Sequence, residues 1–133
     1  MNLEVFDYRE YPNAELIVSS WWEERKDGPF PSNLLPPVGV VVTVDGEPAA
    51  ALWMYMAVGC GVAFLEWPVT APGLGAKAAT PMRFAIEALA AVAKAHDYGL
   101  LRVSTLPKIA RFLQREGWKL EDSEVRIPLM LKI

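Results

Sequence analysis

The chain is poor in the residues that build covalent or metal-held scaffolds: of 133 residues, one is cysteine, Cys60, and one is histidine, His96. A disulfide framework needs paired cysteines and a structural zinc site needs several Cys or His ligands, so both are excluded and no metal site is expected. A reducing compartment suits this composition. Charge is also modest, at 22% of residues against 53% apolar, with a mean hydropathy of +0.19, and that balance excludes a disordered or linker protein. The opening Met1-Asn2-Leu3-Glu4-Val5 lacks the basic start and apolar run of a signal peptide, so a cytoplasmic location is expected. Repeats and a second hydrophobic unit are missing too. The expectation is one domain over residues 1–133, burying roughly two-thirds of the surface of its unfolded form.

One uncharged run tests the soluble reading. Pro48 to Leu65 spans 18 residues between Glu47 and Glu66, close to the roughly 20 apolar residues of a membrane helix. Gly59-Cys60-Gly61 breaks the run, and Asp45-Gly46 just before it is a hairpin signal. Two buried strands are therefore expected and no membrane partner.

Charge is unevenly divided. Residues 1–66 carry ten acids against Arg9, Arg25 and Lys26, a net of −7, and residues 67–133 carry ten Lys/Arg against six acids, a net of +4. A basic half suits an anionic ligand and an acidic half a cationic one, although two solvated faces would look the same. The basic residues stand singly and the whole domain is acidic, so nucleic acid is not an expected partner.

The elements emerge from pattern and punctuation. Leu3 to Arg9 alternates as a short edge strand. A helix starts at Pro12 or Asn13, carries Leu16, Ile17, Trp21 and Arg25 on neighbouring turns, and stops at Asp27-Gly28-Pro29. A proline-rich loop runs from Gly28 to Pro37. Val38–Val44, the turn Asp45-Gly46 and Pro48–Met56 form a hairpin, and after the turn at Gly59 and Gly61 a further strand covers Val62–Val69. Small residues fill Thr70 to Thr80. Thr80 as cap and Pro81 in the first turn start a helix to about Asp97, with Met82, Ile86, Leu89 and Ala93 on its apolar stripe. Leu100–Ser104 is a short strand, and Pro107–Glu116 a short helix stopped by Gly117. A closing hairpin pairs Trp118–Glu121 with Glu124–Lys132 through Asp122-Ser123. The result is an α/β (α+β) domain with a mostly antiparallel mixed sheet, in the order β-α-β-β-β-α-β-α-β-β.

The chemistry lies in the junction Glu66-Trp-Pro-Val-Thr-Ala-Pro-Gly-Leu-Gly-Ala-Lys-Ala-Ala-Thr80-Pro81. A helix N-terminus presents unpaired N–H groups, and small residues beside it let a phosphate approach the backbone. Nucleotide motifs do not fit: Gly73-Leu74-Gly75 lacks the third glycine of a dinucleotide fingerprint, and Ala78 follows Lys77 where a P-loop requires Ser or Thr.

Joined to the element order, this junction resembles the GNAT superfamily of acetyl-coenzyme A dependent N-acyltransferases over nearly the whole chain. The resemblance implies that Val62–Val69 is the fourth strand, residues 70–80 the Arg/Gln-x-x-Gly-x-Gly/Ala pyrophosphate loop, and Arg111-Phe-Leu-Gln-Arg-Glu-Gly117-Trp118 the short helix that ends in Gly-Phe. The chain looks closest to small acetyltransferase-like proteins of phages and bacteria, whose loop is Ala-rich with a basic residue and whose fifth strand ends in Ser-Thr. The same resemblance implies an N-acetyltransferase that uses acetyl-coenzyme A as co-substrate and a small-molecule or peptide amine as acceptor, by direct transfer. A homodimer is the assembly considered. Backbone near Trp67 and Val69 would pair with the pantetheine arm, and Ser104 would touch its amides or cap the next helix.

The departures are specific. With Gly73-x-Gly75 as the family's glycine pair, Thr70 stands where Arg or Gln is expected and the helix to Gly99 becomes too long. A second register, preferred here, places the phosphate amides at Gly75, Ala76, Lys77, Ala78, Ala79 and Thr80 and brings Lys77 to the phosphates. Leu113 replaces the tyrosine that many members use as general acid. Glu66 is the candidate base for the amine, a carboxylate beside an apolar strand where desolvation raises its pKa, although an exposed strand-end glutamate fits as well. Loss of the tyrosine and of the loop Arg/Gln favours an alternative, a catalytically inactive coenzyme-binding or protein-interaction module on the same fold. Cys60 has no evident His partner and reads as a turn residue, and His96 as a helix C-terminal cation. Trp21, Trp22 and Phe30 either wall an acceptor cleft or belong to the core.

Overall fold

The computed structural model describes residues 1–25, 28–105, 107–121, 127, 129, 131 and 133. Its elements are β1 (Leu3–Asp7), α1 (Ala14–Glu24), β2 (Val38–Val44), β3 (Glu47–Met56), β4 (Val62–Thr70), α2 (Ala79–Ala95), β5 (Leu100–Val103) and α3 (Pro107–Arg115), with 3-10 turns at Ser32–Leu34 and Gly75–Ala78. The strands form one sheet in sequence order, β1-β2-β3-β4-β5. The first three pairings are antiparallel and β4–β5 is parallel, as the crossover through α2 requires. The run Pro48–Leu65 supplies β3 and β4, and among the described residues no helix is long and apolar enough to cross a membrane.

The hairpin between β2 and β3 turns on two residues with positive φ, Asp45 at 50° and Gly46 at 84°. That conformation matches the twist of the strands it joins. Period-two alternation then sorts side chains to two faces. Val40, Val42, Ala50, Leu52, Met54, Ala63 and Leu65 pack against Ala85, Leu89 and Ala93 of α2. Val41, Ala51, Trp53 and Val69 pack against Ala14, Val18 and Trp21 of α1. The sheet is thus sandwiched, and its central strands read as continuous apolar runs because both faces are covered. On the α1 face the Trp53 indole lies over the backbone of Gly39, where a Cβ would overlap its ring.

The start of α2 differs from the expected one. Thr80 is its second residue and caps nothing, because the 3-10 turn Gly75–Ala78 feeds directly into the helix with Leu74, Ala78 and Ala79 already helical. No extended residue is left to act as a side-chain cap. Pro81, buried in the first turn, lacks an N–H where none is needed. At the other end His96 is the cap residue, its N–H bonding to Val92 and Ala93, and Asp97 takes the left-handed conformation at φ 62°. In α3, Leu113 is buried and Ile109 is exposed. Trp118–Glu121 pairs with no strand among the described residues, and most of its expected partner, Glu124–Lys132, lies outside them.

Candidate functional site

The parallel ladder is short. Val62, Ala63, Phe64 and Leu65 pair with Leu100, Leu101, Arg102 and Val103, after which β5 ends while β4 continues to Thr70. From Glu66 onward the described strand partner of β4 is β3 alone. Among the described residues its opposite edge has no strand partner, and unpaired strand N–H and C=O groups are a template for an extended polar chain. Glu66 and Ser104, the next residues on the two strands, flank the mouth of this slot.

Directly past the mouth β4 carries a bulge. Trp53 pairs with Glu66 and Ala51 with Val69, so Trp67 and Pro68 share the space opposite Leu52. Trp67 holds φ at 60°, a conformation that costs a bulky residue about 1–3 kcal/mol and that clusters at functional sites. The bulge aims the Trp67 ring into an aromatic wall. Its Nε1–H donates to Tyr55 Oη at 2.8 Å, and the Tyr55 hydroxyl donates to the Leu34 carbonyl at 2.7 Å. Trp22 lies 5.9 Å from both Phe30 and Trp67, and Phe30 is 6.0 Å from Trp53, between ring centroids. The indole N–H groups of Trp22 and Trp53 are buried with no described hydrogen-bond partner. Trp21, by contrast, is core, packed with Val18 and Val41.

Glu66 pairs with Trp53 across the two strands and shares its face of the sheet. Burial pushes its carboxyl above the usual carboxylate range, with no neighbouring charge contributing.

At the lower end of β4 a cavity of about 360 Å³ lies between α1 and the β4–α2 loop. Trp21, Glu24 and Arg25 form one wall, and the chain from Thr70 to Gly75, with Ala78, forms the other. Arg25 Nη2 donates to Thr70 Oγ1 at 2.7 Å. Gly73 and Gly75 take φ of 79° and 54°, which lets the loop wrap the cavity with backbone rather than side chain. Inside the 3-10 turn the N–H of Lys77 bonds to Leu74 and that of Ala79 to Ala76. The N–H groups left without a partner in this turn are those of Gly75 and Ala76, nearer the Gly73-x-Gly75 pair than the expected span to Thr80.

The structure brings Glu66, Trp67, Val69 and Ser104 to the slot. Gly75 and Ala78 line the cavity, whereas Ala76, Lys77, Ala79 and Thr80 lie outside its lining and Lys77 is exposed. Arg25 was not among the sequence candidates, since it sits 45 residues before its partner in a segment readable only as the end of a helix. Cys60 is exposed on the turn before β4, at the far end of that strand from the cavity. Among the described residues no group of three or more His, Cys, Asp or Glu could hold a metal ion.

No protein-family model matches the chain, and no curated protein sequence matches it. Solved structures do. An aminoglycoside acetyltransferase from an uncultured soil metagenomic sample, crystallised with sisomicin, superposes with a TM-score of 0.72 at 13% identity, covering 98% of this chain and 96% of that one. A Trypanosoma brucei acetyltransferase superposes at 0.61 and 15% identity, covering 96% and 99%. A Desulfovibrio desulfuricans protein assigned to the GNAT acetyltransferase family superposes at 0.69 and 17% identity, covering 91% and 87%. At these identities the likeness is one of fold.

Proposed function

We propose that this chain, which has the fold of the GNAT acetyltransferases, moves an acetyl group from acetyl-coenzyme A to a primary amine. The observation that carries the reading is the slot itself, a strand edge unpaired among the described residues with a half-buried carboxylate at its mouth. The residues suit the coenzyme. The edge of β4 from Trp67 to Val69 offers backbone bonds to an extended amide arm, with Ser104 across the mouth. In the turn from Gly75 to Thr80, the Gly75 and Ala76 amides, which the turn's own hydrogen bonds do not use, are offered to the pyrophosphate. Bound acetyl-coenzyme A supplies a thioester carbonyl and a thiolate leaving group.

The remaining chemistry falls to the protein. An amine is protonated at neutral pH and must lose a proton to attack. Glu66 accepts it, directly or through water, and its raised pKa narrows the gap between base and ammonium. The aromatic wall of Trp22, Phe30 and Trp67 draws the incoming cation to ring faces. Leu113, buried at 5% exposure, offers no hydroxyl at the position where many family members carry tyrosine, so the thiolate leaves without a protein acid. Transfer is direct, as Cys60 lies away from the slot. The soluble, cytoplasmic setting and any homodimer belong to this proposal.

The test is turnover of acetyl-coenzyme A against a panel of primary amines, peptide N-termini and lysine peptides, read by free thiol release. Acetylation of one class at a rate above hydrolysis supports the reading. Tight coenzyme binding with no acceptor at all would instead favour the inactive binding module, for which the buried Leu113 speaks.

A further inference from the structure

The loop from Thr70 to Gly75 contains no cation, yet it lines an open cavity of about 360 Å³, within the roughly 300–1,000 Å³ of small-molecule sites. We infer that Arg25, reaching across from the end of α1, supplies the charge this loop lacks and binds a diphosphate group there. The inference rests on the coenzyme reading of the same site.

Three features support it. Arg25 is held rather than free: one guanidinium nitrogen donates to Thr70 Oγ1 at 2.7 Å, and the buried Trp21 anchors the helix that carries it. A guanidinium has five N–H donors in a planar fork, so this bond fixes its orientation and leaves donors for the paired oxygens of a phosphate, the geometry arginine matches best. The facing wall is the chain from Thr70 to Gly75, turned by two positive-φ glycines and ending at Gly75, whose N–H the 3-10 turn does not use. Glu24 also lines the cavity and opposes an anion. Both side chains are exposed, but Glu24 has no described hydrogen bond whereas Arg25 is tethered to Thr70, so Glu24 can swing into solvent while the guanidinium stays over the loop.

Calorimetry on the full chain with inorganic pyrophosphate, coenzyme A and pantetheine tests this with four proteins: wild type, R25Q, R25K and E24Q. Arg25 is exposed, so R25Q should melt as wild type does without ligand. R25Q should weaken pyrophosphate and coenzyme A about tenfold and leave pantetheine unchanged, as expected for one lost charge-assisted contact. R25K should fall between, and E24Q should tighten the phosphate ligands several-fold. Equal affinity of R25Q and wild type for pyrophosphate overturns the inference, as does an equal loss for pantetheine. Should coenzyme A fail to bind wild type while R25Q still weakens pyrophosphate about tenfold, the coenzyme reading falls and the Arg25 site stands.

Discussion

Leu65 and Val103 form the last rung between β4 and β5, and past them neither strand pairs with the other. The next residue on β4 is Glu66, and the next two positions are the bulge. The site is therefore a consequence of strand lengths: nine residues in β4 against four in β5.

Replacing Glu66 with Gln removes the proton acceptor without removing much volume. Turnover should fall by about 10² with coenzyme A affinity unchanged, and the acidic limb of the kcat/KM pH profile, set by the raised pKa of Glu66, should disappear. Unchanged rates would make Glu66 a strand-end residue.

The same substitution has a stability signature of defined sign. Burial raises the folded-state pKa of Glu66 above its unfolded value, so the native state binds more protons between the two, and stability falls as pH rises through that window. E66Q should raise Tm relative to wild type at pH 7 and show no gain at a pH below both values. A gain that persists at low pH would assign the effect to packing.

Gly39 and Trp53 test the core beneath the site. Because a Cβ at Gly39 overlaps the indole, Gly39→Ala should destabilise by about 1–3 kcal/mol in urea unfolding. It should also disturb the Phe30 ring that packs on Trp53.

Asp97 ends α2 with φ at 62°, where glycine is the favoured residue. Asp97→Gly should stabilise the fold by about 0.5–1 kcal/mol, since the relief of the left-handed strain outweighs the added chain entropy. A loss of stability would mean that the Asp97 side chain has a role the geometry does not record.

Much of this was legible in the sequence because the strands obey local rules. Valine-rich runs and Asp45-Gly46 place the hairpin, and small residues before Pro81 place a crossover into a long helix. Thr80 shows where local rules stop. A good cap residue followed by proline marks a helix start only if the chain before it is extended, and here Gly75–Ala78 is already coiled. The bulge at Trp67-Pro68 left no trace in the alternation of β4, since it depends on the register with β3. Arg25 was invisible for the same reason that it matters, because it meets Thr70 only once α1 has packed on the sheet.

Ala78 lines the cavity at the junction with α2. Ala78→Asp places a negative charge beside the phosphate site and should weaken coenzyme A binding about tenfold, measured by calorimetry. Unchanged affinity would move the phosphates elsewhere on the loop.

The most direct measurement of the central claim is the melting temperature with and without acetyl-coenzyme A. A ligand that binds only the folded chain at 100 times its Kd stabilises it by about 2.7 kcal/mol, so a clear dose-dependent rise in Tm is predicted, reduced in A78D. No rise at millimolar acetyl-coenzyme A would contradict the account.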